Sequence, residues 1–117
     1  MHVCQLEDQK PFTTKDGSTI RVILDRANAS AQNQSLAEAT LKAGVAAERH
    51  YHRASEEFYF ILFGEGEMHL GDEVQTVGPG DAIVIPPGAW HYIVARTDLR
   101  LLCCCSPAYS HEDTYLS

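Results

Sequence analysis

The feature that most limits what this chain can become is its cadence: apolar or alternating runs of four to seven residues, broken by Gly, Pro and Asp. The runs are Thr19–Leu24, Glu57–Phe63, Gly66–Leu70, Val74–Val77, Ala82–Ile85, Trp90–Val94 and Leu99–Cys105. Strands this short, with turn residues between them, predict an all-β sandwich or barrel. Gly71-Asp72-Glu73 suits a hairpin turn, because Gly tolerates positive φ. One stretch pulls the other way. Ser35–Ala43 is rich in Ala, Leu, Glu and Lys, and Ser35 with Glu38 imitates a helix capping box. It is read here as a strand, since burial in a sheet overrides a weak local propensity.

Glu57–Phe63 carries more information. One parity holds Glu57, Tyr59, Ile61 and Phe63; the other holds Phe58, Phe60 and Leu62. Both faces are apolar, so both are expected to be shielded from water. A barrel interior covers only one of them. In 117 residues a homodimer is the economical cover for the other.

Size and charge narrow the partners. A chain this long fits one core. A formal net charge of -7 repels phosphate backbones and anionic lipid, so neither nucleic acid nor membrane is expected. Met1–Lys10 lacks a basic segment followed by an apolar run, and no apolar stretch is long enough to span a bilayer, so a cytoplasmic location is expected. Cys4, Cys103, Cys104 and Cys105 form no Cys-x-x-Cys pair. Neighbouring residues on a strand point to opposite faces, which favours free thiols over a disulfide.

The chemistry concentrates in two segments. In Gly44-Val-Ala-Ala-Glu-Arg-His50-Tyr-His52-Arg-Ala-Ser-Glu56-Glu57, His50 and His52 lie two apart and so share one face of a strand. Glu57 opens the next strand. In Gly80-Asp-Ala-Ile-Val-Ile-Pro86-Pro-Gly88-Ala-Trp-His91, a Pro-x-Gly turn delivers His91 to a further strand.

Together these segments resemble the paired signature of the cupin superfamily, in the short-spaced form of small single-domain microbial cupins. The first motif, at 44–64, matches at Gly44, His50, His52, Glu57 and Gly64. The second, at 80–95, matches at Gly80, Pro86, Gly88 and His91, but Ala95 stands where the family has Asn. The resemblance implies a double-stranded β-helix, or jelly-roll, barrel of two antiparallel sheets. It implies a single domain over 1–117, with the site inside the barrel. His50, His52, Glu57 and His91 are then the expected ligands of one divalent transition metal.

Three imidazoles and one carboxylate suit Mn, Fe, Ni, Co or Zn, with Mn or Fe favoured. Four protein ligands on an octahedral ion leave positions for water or substrate, unlike a closed structural site. Spacing to Gly64 selects Glu57 over Glu56, which is expected to face solvent or support a ligand. Loss of the Asn at Ala95 does not touch the ligands.

Other candidates have ordinary explanations. His69 has the parity opposite Met68 and Leu70, so it is expected in solvent. His2 and His111 lie outside the cluster. The polar Ser110–Asp113 stretch reads as a tail that can close over a barrel mouth or a neighbouring subunit. Cys103–Cys105 are expected to be buried as small apolar groups. Tyr51 and Tyr59 are expected to pack, with a phenol available to a substrate. Trp90 and Tyr92 are expected in a dimer or sheet–sheet contact.

Three functions are compatible with such a site. The leading one is a metalloenzyme, dioxygenase-like, acting on a small oxygen-rich organic molecule. The others are a non-redox sugar isomerase or lyase, and a metal- or ligand-binding protein without turnover. A phosphosugar would call for Arg or Lys at the barrel mouth. Arg49, Arg53 and Arg96 are the candidates, though Arg49 and Arg53 have the wrong parity. No general acid or base declares itself outside the ligand set.

Overall fold

A computed structural model describes residues 1–116. The β-strands are β1 (Phe12–Thr13), β2 (Thr19–Leu24), β3 (Ser35–Leu41), β4 (Tyr51–His52), β5 (Glu56–Phe63), β6 (Gly66–Leu70), β7 (Glu73–Val77), β8 (Ala82–Ile85), β9 (His91–Ala95), β10 (Leu99–Ser106) and β11 (Thr114–Tyr115). Two single 3₁₀ turns, Leu6–Asp8 and His111–Asp113, are the helical segments among the described residues. No helix among them is long and apolar enough to cross a membrane.

All pairing is antiparallel. One sheet has the order β1-β2-β3-β10-β5-β8, a second runs β7-β6-β9, and β11 pairs with β4. Inward side chains of both larger sheets meet in one core that includes Ile61, Leu101, Ala39, Met68 and Ile93. This is the jelly-roll architecture expected above. Ser35–Leu41 is a strand despite its helical composition, because it lies between β2 and β10 and forms ladders with both. The Gly71-Asp72 turn joins β6 to β7, with Gly71 at φ 57°.

The expected parity of Glu57–Phe63 needs one correction. Leu101 pairs with Ile61 but Arg100 pairs with Phe63, so a bulge absorbs Leu62. An extra residue in one strand turns the following side chain to the other face. Phe63 therefore leaves the interior and is 60% exposed.

The two sequence motifs are joined through their backbones. Gly44–His50 runs antiparallel along β9: Gly44 N–H donates to Ala95 O (2.7 Å) and Ala47 N–H to Ile93 O (3.0 Å). His50 and His91 then exchange both of their main-chain bonds, at 3.0 and 2.8 Å. Ligand-bearing segments far apart in sequence are thus held in register by the peptide backbone before any side chain is considered.

Candidate metal centre

The four sequence-selected side chains converge. One ligand atom from each of His50, His52, Glu57 and His91 lies within 4.8 Å of the others, and all four residues are buried. Glu56, one residue earlier on β5, is exposed.

Hydrogen bonds orient the imidazoles. His50 Nδ1 lies 2.8 Å from Glu48 O, His91 Nδ1 2.9 Å from Ala89 O, and His52 Nδ1 3.2 Å from Asp113 O. A carbonyl only accepts, so each Nδ1 carries its proton and donates. Each neutral ring therefore directs an Nε2 lone pair inward. Glu57 Oε1 sits 3.4 Å from His52 Nε2 and 3.3 Å from His91 Nε2. Yet Glu57 Oε1 and His91 Nε2 are buried with no hydrogen-bond partner. Orphaned buried polar atoms are expensive. Here they belong to a borderline-nitrogen and hard-oxygen donor set, and such a set fits one divalent transition metal.

Burial and mutual contacts set the protonation states of the cluster. Burial alone would raise the Glu57 pKa, but contacts with His52 and His91 outweigh it and bring the carboxyl down to about 2. Burial and the neighbouring His91 lower the pKa of His50. Burial also opposes charge on His52, but Glu57 outweighs it and its pKa is raised. Burial, followed by the Glu57 charge, drives the Cys103 and Cys105 thiols and the Tyr59 phenol upward. Both sulfurs therefore stay protonated at neutral pH. Cys105 Sγ donates to Glu57 Oε2 at 3.4 Å, and so steadies the oxygen that faces away from His52 and His91. The cysteines are free.

The centre opens on a cavity of about 60 Å³ between the sheets. That is room for a few waters or a small organic group. Small inward residues of β3 and β10, namely Ser35, Ala37, Ala39, Cys103 and Cys105, leave the space, and Tyr59 lines it. Asp16 and Tyr109, which the sequence did not single out, also line it. Asp16 lies in the β1–β2 turn, within a Thr-Lys-Asp-Gly-Ser run that reads as an ordinary turn. Tyr109 belongs to the tail.

That tail is part of the frame. The Asp113 carboxylate accepts backbone N–H groups of Arg53, Ala54 and Ser55 at 3.0–3.2 Å. It thereby holds the turn between His52 and Glu57. Thr114 and Tyr115 pair with His52 and Tyr51. Lys15 Nζ donates to the carbonyls of His111 and Thr114, both at 3.0 Å. His111 itself is exposed.

Several outer residues differ from expectation. His69 is half-buried; it stacks on Tyr92 with centroids 4.1 Å apart and bonds Glu67 at 2.7 Å. Tyr92 is thus satisfied within its own sheet, because it stands opposite His69 in the β6–β9 ladder. Trp90 packs edge-on against Tyr51, and the Arg49 guanidinium covers it at 4.1 Å. Tyr51 stacks on Tyr115, which Arg53 covers in turn. Arg96 pairs with Glu65 and Glu67. None of these three arginines lines the cavity.

Residues 37–105 match the family model for the cupin domain. The chain belongs to the cupin family. This cupin is 47% identical to an uncharacterized protein, MJ1618, of Methanocaldococcus jannaschii over 107 residues, covering 90% of this chain and 86% of that one. It is 32% identical to the L-ectoine synthase of Oceanobacillus iheyensis over 83 residues, 69% of this chain and 64% of the synthase. Among solved structures, KdgF from Halomonas sp. superposes with a TM-score of 0.82 at 18% identity, covering 96% of this chain and 98% of that one. At that identity the likeness is one of fold.

Proposed function

We propose that this cupin is a metalloenzyme that holds one divalent ion, Mn or Fe by preference, on His50, His52, Glu57 and His91. It acts on a small oxygen-rich organic molecule in a dioxygenase-like reaction. The observation that carries this reading is the pair of buried, unpartnered atoms, Glu57 Oε1 and His91 Nε2, in a cluster whose His50, His52 and Glu57 line a cavity with room for a small ligand. When bound, the ion supplies Lewis acidity and a redox centre. The chain supplies the rest. Backbone carbonyls fix the imidazole tautomers, Cys105 steadies Glu57, and the sheets exclude water. Tyr59 presents a protonated phenol to the cavity.

The test is oxygen uptake by Fe- or Mn-loaded protein across enolizable diketones, flavonols and carboxylates. Substrate-dependent consumption is expected. No uptake across that panel sinks the oxidative reading. Turnover without oxygen would instead support a lyase or isomerase, the reading favoured by similarity to a synthase. Binding without any turnover would make the chain a ligand-binding protein. A phosphosugar is disfavoured, because Arg49, Arg53 and Arg96 are engaged outside the barrel.

The chain is further proposed to work as a homodimer in a reducing, cytoplasmic compartment. On the outer face of the large sheet, Val84, Phe58, Cys104 and Leu36 stand side by side across β8, β5, β10 and β3. Phe60 and Leu102 form the adjacent row. Val84, Phe58 and Phe60 are 53%, 51% and 42% exposed. A contiguous apolar stripe of this kind suits a self-complementary interface. Sedimentation should give a dimer at micromolar concentration and a monomer for the double variant F58D/F60D. A wild-type chain that sediments as a monomer refutes the dimer.

A further inference from the structure

The cavity beside the candidate centre has a sign. Its lining includes Asp16, Asp25 and Glu57, though the Asp25 carboxylate accepts the Ala27 and Asn28 N–H groups of its own turn, and among the described residues no Lys or Arg lines it. A divalent ion balances the Asp16 and Glu57 carboxylates, so a bound dianion would leave the filled cavity negative.

Asp16 is the informative member. Its Oδ1 is already satisfied, accepting the Thr14 hydroxyl and, at 3.0 Å, the Ser18 N–H. Its Oδ2 faces His50 Nε2 at 3.6 Å. Because His50 spends its Nδ1 proton on Glu48 O, the neutral ring offers Oδ2 only a lone pair. Two acceptors then confront each other across a gap, next to the unpartnered His91 Nε2 and Glu57 Oε1. Whatever sits beside these two atoms must be a cation or must bring a hydrogen-bond donor.

We infer that Asp16 is a specificity residue: the cavity accepts an uncharged or cationic small molecule that donates a hydroxyl or amine hydrogen to Asp16 Oδ2, and it disfavours dianions. This rests on the metal reading above and narrows its substrate class. Like charges close together in a water-poor site repel strongly, so a dicarboxylate meets opposition that an alcohol or amine does not.

The probes are oxalate and 2-aminoethanol, titrated by calorimetry into protein saturated with Mn²⁺, with Mn²⁺ uptake measured separately beforehand. Asp16→Asn keeps an oxygen for Thr14 and Ser18 but removes the charge. Wild type is expected to bind oxalate at least about tenfold more weakly than D16N, and 2-aminoethanol more tightly. Should D16N fail to fold, D16S takes its place with the same expected order. Equal oxalate affinity in wild type and variant, with Mn²⁺ uptake intact in both, overturns the role of Asp16 and leaves the metal site standing. No Mn²⁺ uptake by the wild type overturns both.

Discussion

Replacing His91 by Ala is expected to lower the affinity for Mn²⁺ or Fe²⁺ by about 100-fold or more, since even groups that merely orient a ligand are worth 10–100-fold. His91 is one of the most completely buried large side chains, and its Nε2 has no partner within the protein. Calorimetry should show the loss, and circular dichroism should show a folded variant. Thermal unfolding adds a second reading. An ion at about 100 times its Kd stabilises the wild type by about 2.7 kcal/mol, and H91A should lose that metal-dependent shift. Glu57→Gln should behave like H91A, whereas Glu56→Gln should bind like wild type, because Glu56 points to solvent. Equal metal uptake by wild type, H91A and E57Q would remove the basis for the proposed function.

The same site gives a pH dependence with a definite sign. Metal and protons compete for Nε2. His52 has its pKa raised, so as pH falls it takes a proton before His50 does. His50, with a lowered pKa, follows later. Affinity should therefore decline from the neutral range downward, beginning above the ordinary histidine pKa. Stability of the metal-free fold moves differently. The His52 contribution is complete below the unfolded pKa of about 6.5 and is lost as pH rises through its raised folded value. The Glu57 contribution is present above the unfolded value near 4.3 and is lost as pH falls toward about 2. Together they favour the metal-free protein in mildly acidic solution and the metal-bound protein at neutral pH and above.

Gly64→Ala should have the largest effect on folding. Gly64 has φ +87°, and a Cβ there would lie 2.0 Å from Asp98 O and 3.0 Å from its carbonyl carbon. A left-handed residue costs about 1–2 kcal/mol, and forcing an atom against backbone adds about 1–3 kcal/mol. A loss of about 2–5 kcal/mol by denaturant titration is expected, a large fraction of a small domain's stability. Gly80→Ala provides the contrast. Its φ is +90°, but a Cβ would meet nothing within 4 Å, so only the conformational cost applies. Comparable losses for the two variants would show that the Asp98 contact does not matter.

The fold was legible because its strands announce themselves through short runs and turn residues. The candidate centre was legible because motif spacing and strand parity together place His50, His52, Glu57 and His91 on converging faces. What escaped depended on contacts that no local pattern encodes. The bulge at Leu62 reverses the direction of Phe63, and its cause is the register against β10. The strands Phe12–Thr13 and Thr114–Tyr115 are two residues long, below what alternation can reveal. Asp16 meets His50 across 34 positions of sequence, and a carboxylate in a Gly-containing turn looks like any other. The Tyr92–His69 stack follows from cross-strand pairing rather than from either residue's neighbours in sequence.

The handshake between Lys15 and the carbonyls of His111 and Thr114 has a mechanical corollary. It ties the loop carrying Asp16 to the segment whose backbone steadies His52. Two segments far apart in sequence therefore brace the same cluster of rings. They behave as guy-ropes, and slackening either one would be felt first at the chemistry and only afterwards in the barrel.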